Sequence, residues 1–272
     1  MRLLSIVLLL IFSAVVQAQS GSSVFLDALE AQNPPSSAEK YDQKKGRLFT
    51  LTTPIGTTLQ AFEAGPEDAA VGILLLHDRW GLTDELRQRV RIYALKGYKA
   101  LAIDMFDQRI STESWLATEI AGAVDTEAVK VNVSAALDYL SLPGRKLATV
   151  GWGFGGWQSY QAALIESDKL SAAVVGYSPL FASVKDARQV AVPVLGIFAQ
   201  QDERISQVDI RRFYSLKAEA YKNMDTREHV VFQHHMIDAS RGFIAPSDSA
   251  YNKDAAKNAW LNVDEFLAKH LE

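Results

Sequence analysis

Gly151-Trp152-Gly153-Phe154-Gly155-Gly156 follows a short apolar run, Lys146–Val150, and precedes a helical pattern, Trp157–Ser167. A strand, a tight turn and a helix, with glycines two before and two after a central residue, is the layout of a nucleophile elbow. The flanking glycines are needed because so sharp a turn leaves no space for side chains beside the central one. The helix start and the Phe154 N–H then face a developing oxyanion. The central residue is Gly153, which has no side chain to attack with. The same letters satisfy Gly-x-Gly-x-x-Gly, the dinucleotide fingerprint. That motif usually opens the first strand-turn-helix of a nucleotide domain and is followed by an acid for the ribose. Here it follows the fifth expected strand, and the next run, Ala172–Tyr177, ends in Ser178-Pro179. The elbow is the better reading.

Around the elbow, strand-like and helix-like stretches alternate. Arg47–Thr53 and Thr57–Glu63 alternate polar and apolar residues across Pro54-Ile55-Gly56 and predict a hairpin. Val71–His77, Lys99–Asp104, Lys146–Val150, Ala172–Tyr177, Pro193–Ala199 and Glu228–His234 are short, mostly apolar runs, as in strands buried on both faces. Helical patterns cover Thr83–Lys96, Asp125–Leu140, Trp157–Ser167 and Gln207–Lys222. A last one runs from about Ala250 to Leu271, with Trp260, Val263, Phe266 and Leu267 on one face. Eight strands with helical crossovers predict an α/β three-layer sandwich around a mostly parallel sheet, whose ligand site lies beyond the carboxyl ends of the strands.

The 272 residues allow one medium-large domain, and 48% apolar content suits a globular core. A net charge of -4 gives no reason to expect nucleic acid or an anionic membrane as partner. The absence of cysteine excludes disulfides, thiolate metal sites and a cysteine nucleophile. Arg2, the apolar run Leu3–Val16 and the small-residue ending Val16-Gln17-Ala18 read as a signal peptide over residues 1–18. The run is short for a membrane span, so the expectation is an exported protein, periplasmic or secreted, with no membrane attachment after cleavage. Residues 19–45, with Asn33-Pro34-Pro35-Ser36-Ser37, read as a polar leader, and 46–272 as the domain.

Five segments together resemble the dienelactone hydrolase family of the α/β-hydrolase superfamily. His77-Asp78-Arg79-Trp80-Gly81 resembles its His-Glu-x-x-Gly-like loop, and Gly97-Tyr98 with the strand ending Asp104-Met105-Phe106 its next strand. Gly151–Gly156 resembles its Gly-Tyr-Cys-x-Gly-Gly. Gly196–Asp202 resembles the strand that ends in the triad aspartate, and Arg241-Gly242-Phe243, with Tyr251 and Trp260 beyond, its His-Gly-Phe and final helix. The resemblance implies the α/β-hydrolase fold over roughly residues 47 to 271. It also implies roles by position: Gly153 at the nucleophile station, Arg241 at the histidine station, Asp202 at the triad acid and Asp78 at the loop acid. The Phe154 and Arg79 backbone N–H groups are then the oxyanion donors.

Two of three triad positions are chemically unsuited to acyl transfer. Glycine offers no nucleophile, and arginine stays protonated and cannot serve as base. Substitutes are poor: Ser159 lies well inside the elbow helix, and Ser178 precedes Pro179 in a turn. His234 and His235 end the expected last strand, where one can face the cleft. His77 reads as structural for its loop, and His229 and His270 belong to no constellation. A metal site from His77, Asp78 and Asp202 has no ligand spacing behind it. Arg241 and Asp202 are expected to pair as ions. Trp80, Phe106, Trp152 and Phe154 either line an apolar pocket or belong to the core. The expectation is a pseudo-hydrolase that needs no cofactor or metal and binds a small ester, lactone or carboxylate, or a protein partner. The alternative is a working hydrolase, with a water in the place of the missing side chain activated by Asp78, Asp202 or His235.

Overall fold

A computed structural model describes residues 46–180, 183–222 and 231–271. The signal peptide and leader assigned to residues 1–45 lie outside the described residues. Eight strands form one sheet: β1 (Arg47–Thr52), β2 (Thr58–Ala64), β3 (Val71–Leu76), β4 (Lys99–Ile103), β5 (Lys146–Trp152), β6 (Ala172–Gly176), β7 (Val194–Gln201) and β8 (Phe232–Ser240). Their order is β1-β2-β4-β3-β5-β6-β7-β8, with β1 and β2 antiparallel to their neighbours and the rest parallel. The hairpin followed by parallel crossovers is the arrangement expected of the α/β-hydrolase fold.

Helices cover both faces. On β3, period-two alternation sends Ile73 and Leu75 into one core and Leu74 and Leu76 into the other, so all six of its residues are buried. The first core takes Val90 and Tyr93 of α1 (Asp84–Leu95), and Val263, Phe266 and Leu267 of α7 (Lys253–Leu271). The second takes Ile120 of α2 (Ser114–Gly122), Val133 and Leu137 of α3 (Thr126–Leu140), and Tyr160 of α4 (Phe154–Ile165). The helices α5 (Val184–Gln189) and α6 (Gln207–Tyr221) join through a small cluster of Ala187, Ala220 and Tyr221.

Cap chemistry sets several of these boundaries. The side chains of Thr83, Asp125 and Ser206 accept from the first-turn N–H groups of α1, α3 and α6, and Ser206 forms a reciprocal capping box with Asp209. The sequence pattern did not predict α2 or α5. The N-cap of the first, Glu113, makes no side-chain cap, and the second is only 6 residues long, too short to show a period.

One strand differs from its expected bounds in a way that affects the site. The last strand, expected over Glu228–His234, has residues 228 to 230 outside the described set and runs on to Ser240. Its pairing explains the length, since β8 follows β7 from Val194↔Phe232 to Gln201↔Ser240. His234 and His235 are therefore early in the strand, and Arg241 follows its end directly.

Candidate functional site

Strand order reverses between β3 and β5: β3 leads to β4 on one side, and β5 leads to β6 on the other. Loops leaving such neighbours part in opposite directions and leave a crevice at their carboxyl ends. Asp78 leaves β3 and Gly153 leaves β5 at this point. The turn is tight as the glycine pattern requires. A Cβ at Gly155 would overlap the Leu76 carbonyl oxygen, and one at Gly151 would overlap that of Gly155 and lie 2.8 Å from the Gly156 nitrogen. Gly153 caps α4 at φ 53, in the left-handed region. Its N–H donates to the Gly176 carbonyl at 2.9 Å and its carbonyl accepts from Trp157 at 3.1 Å.

The side-chain space at Gly153 is taken by Asp78. A Cβ there would overlap Asp78 Oδ1 and lie 2.7 Å from its Cγ. Asp78 Oδ1 accepts from the Arg79 N–H at 2.7 Å and the Phe154 N–H at 3.1 Å, and Oδ2 accepts from the Tyr177 hydroxyl at 3.0 Å. Thus the two backbone donors assigned to an oxyanion converge on the chain's own carboxylate, at the positive end of α4. A water in the place of the missing side chain would have to displace this carboxylate.

Tyr177 carries no signal in the sequence that marks it as a site residue. It lies just past β6 at φ 27, an uncommon conformation for a non-glycine residue. Its N–H donates to Ile197 O at 2.7 Å, which fixes the residue beside the crevice. Burial, and after it the Asp78 carboxylate, hold its hydroxyl well above the ordinary tyrosine value, against the pull of Arg241. The Arg241 guanidinium lies 5.2 Å from the ring centroid.

Asp202 and Arg241 meet. Arg241 Nη1 donates to Asp202 Oδ2 at 3.2 Å, with the Asp202 side chain fully buried and that of Arg241 a quarter exposed. Asp202 Oδ1 accepts from the N–H groups of Arg204 at 2.8 Å and Ile205 at 3.1 Å. The acid of the triad is therefore saturated by donors, and its partner is a permanent cation. A second pair, missed in the sequence, joins Arg79 Nη2 to Asp248 Oδ2 at 2.8 Å. Asp248 packs under Gly242, whose φ of 94 and close carboxylate neighbour leave no room for a Cβ. No local signal marks Asp248, because its role depends on residues far away in sequence.

Other candidates are placed away from the chemistry. His77 Nε2 accepts the Met105 N–H at 2.8 Å and Nδ1 lies 2.9 Å from the Asp78 carbonyl oxygen, so the ring carries its proton on Nδ1 and bridges two loops. Asp104 Oδ1, 3.7 Å from that Nε2, is too far for a hydrogen bond. Both His77 nitrogens are committed. Among the described residues no three His, Asp or Glu side chains gather as a metal set.

His234 Nδ1 is hydrogen-bonded to the Tyr214 hydroxyl. His235 is exposed and paired in register with Ile197, five positions before Asp202 and so about 16 Å along the strand from it. The expectation that this pair ends its strand beside the cleft is thus corrected. His270, near the end of α7, has a buried Nε2 without a partner among the described residues, and His229 lies outside them. Ser159 is buried against Thr149 Oγ1 at 2.8 Å, and Ser178 is fully buried beneath Gly156. Trp80, Phe106 and Trp152 are buried, and Phe154 is half-buried against Phe106.

Comparison with known proteins agrees with this architecture. The profile of the dienelactone hydrolase family matches residues 59–271. A protein of Saccharolobus solfataricus, provisionally named carboxymethylenebutenolidase, is 23% identical over 254 residues, covering 79% of this chain and 95% of its own. A dienelactone hydrolase-like promiscuous phosphotriesterase, P91, from metagenomic libraries superposes with a TM-score of 0.67 at 22% identity, over 84% of this chain and 99% of its own. The Pyrococcus furiosus esterase Pf2001 gives 0.60 at 16% identity, over 88% and 100%. With the profile spanning sheet, elbow and final helix, this chain belongs to the dienelactone hydrolase family.

Proposed function

We propose that the chain is an exported, periplasmic or secreted pseudo-hydrolase that binds a small ester, lactone or carboxylate, or a protein partner, without acyl transfer. One observation carries the reading: the Asp78 carboxylate occupies both the side-chain space at Gly153 and the two N–H donors that an oxyanion would need. A covalent route needs an attacking atom at residue 153 and a base at residue 241, and neither Gly153 nor Arg241 supplies one. Preorganised donors stabilise a transition state only when they are free to receive it, and here an internal anion holds them. A ligand carbonyl enters by exchanging with Asp78 at the Arg79 and Phe154 amides. An ester, a lactone and a carboxylate all present an oxygen suited to that exchange.

The test sets the mature wild type beside an Asp78→Ala/Gly153→Cys/Arg241→His variant on aryl esters and lactones. Gly153→Cys without a change at Asp78 would set the new side chain against the carboxylate, so the third substitution is part of the design. An inert wild type with a turning-over triple variant is expected. Wild-type turnover lost in Asp78→Ala, Asp202→Ala or His235→Ala would establish a working hydrolase with an activated water instead.

A further inference from the structure

Lys99 and Lys217 are both drawn into the protein, and they differ in what receives them. Lys99 Nζ is held by Glu63 at 2.9 Å and Glu67 at 2.6 Å. Lys217, half-buried on α6, has no carboxylate partner among the described residues. Its Nζ donates to the Tyr221 hydroxyl at 3.2 Å and the Ala187 carbonyl at 3.4 Å, both long contacts to neutral oxygens. Such acceptors do not replace the hydration of a charge, so burial holds the ammonium down at about 8. The amine lines a cavity walled by Val190, Val194, Phe213 and Phe232. Counting its open mouth the cavity holds ≈ 230 Å³, yet only ≈ 10 Å³ of that admits the centre of a water-sized group, so it is a narrow slot. Val194 and Phe232 begin β7 and β8, which puts the slot at the amino ends of the strands, away from the crevice of Asp78 and Gly153.

We propose that Lys217 is a site of imine formation with a short, unbranched, uncharged aldehyde. An amine attacks only in its neutral form, and removal from water favours that form. At about pH 7.5, an amine titrating near 8 is about one-quarter neutral, against about 0.1% for an ordinary lysine. A less basic amine is also a weaker nucleophile, which leaves a net rate gain of about ten-fold. Nζ bonds to the carbonyl carbon, the π pair moves to the oxygen, and that oxygen gains a proton as the nitrogen loses one. The carbinolamine oxygen then takes a second proton from solvent and leaves as water. The nitrogen lone pair closes the C=N bond, and the remaining N–H proton returns to solvent. The net change is amine plus aldehyde to imine plus water, with nothing oxidised or reduced. The lining sets the class of ligand: four apolar side chains offer no partner to a charged tail, and the narrow slot leaves no width for a branch or ring. Neither Asp78 nor Gly153 takes part, so failure here leaves the proposed function standing.

The test treats the folded protein at that pH with propanal and sodium cyanoborohydride, which reduces the imine to a stable propylamine, and locates the label by peptide fragmentation. Lys217 should be labelled about ten-fold faster than Lys253 and Lys257, which are exposed. Glyoxylate, a small aldehyde that carries a carboxylate, should label those two reference lysines without preferring Lys217. Val190→Phe, which fills the slot, should bring propanal labelling of Lys217 down to the reference rate. Lys217 labelled no faster than Lys253 and Lys257, or favoured by glyoxylate as strongly as by propanal, would overturn the proposal. So would a folded Val190→Phe variant that keeps the preference. The first two readouts use the wild type, so they decide the matter even where Val190→Phe folds poorly.

Discussion

Gly153→Ala is the smallest change that probes how the crevice is filled. The added methyl meets the Asp78 carboxylate, and the backbone sits at φ 53. A left-handed conformation costs a residue with a Cβ about 1–2 kcal/mol. Relieving the overlap means moving the carboxylate off two N–H donors and the Tyr177 hydroxyl, and each hydrogen bond to a charged group is worth about 1.5–3 kcal/mol. Water recovers part of that for a half-buried side chain, so the variant should lose about 3–4 kcal/mol of stability. Asp78→Ala alone leaves the two N–H groups without their acceptor, at about 1–3 kcal/mol.

In the double variant the methyl enters the space the carboxylate left, and only the backbone and donor costs remain. Its loss should therefore fall short of the sum of the single losses by about 2 kcal/mol. Urea unfolding of all four proteins at neutral pH, followed by circular dichroism, measures this coupling. Single losses that add within about 0.5 kcal/mol would show that Asp78 does not fill the space at Gly153, because contacting groups cannot behave as independent ones.

Other parts of the molecule give separate tests. Asp202→Ala removes the ion pair with Arg241 and the acceptor for the Arg204 and Ile205 N–H groups. It should cost about 2–4 kcal/mol, read as a lowered urea midpoint, without altering ester hydrolysis; a variant as stable as wild type would count against the pair. Tyr177→Phe should cost about 1 kcal/mol by thermal or urea unfolding, and no change would mean the hydroxyl bond to Asp78 is not formed. Lys217 lines a small apolar cavity with Val190, Phe213 and Phe232, and burial lowers its ammonium to about 8 from the ordinary 10.5. The unfolded chain then holds more protons than the folded one between those values, so unfolding free energy should rise with pH across that window. The rise should be about 1 kcal/mol after solvent screening, and Lys217→Met should flatten it; an unchanged slope would refute the assignment.

Most of the fold was legible because its signals are local. β3, β4, β5 and β6 are continuous apolar runs bounded by turns, and Thr83, Asp125 and Ser206 mark helix starts. The elbow glycines were legible for the same reason: each lies where another backbone passes. β8 was misplaced because its length comes from pairing with β7, which no local pattern encodes. The site was legible as positions and not as contacts. Asp78, Gly153, Asp202 and Arg241 could be named in order along the chain. That a carboxylate one methylene shorter than glutamate fills the space at Gly153 depends on two loops 75 residues apart in sequence converging. Tyr177 and Asp248 went unmarked because a tyrosine after a strand and an aspartate in a loop are ordinary until their partners are placed.

The proposed function turns on Gly153 and Asp78 together closing the acyl-transfer route. Pre-steady-state hydrolysis of p-nitrophenyl acetate by the purified protein is the sharpest check, with product release and intact mass followed together. No burst, no acetylated protein and a steady rate indistinguishable from buffer and from Asp78→Ala are expected. A burst, an acetyl adduct, or turnover that disappears in Asp78→Ala would show that the route is open.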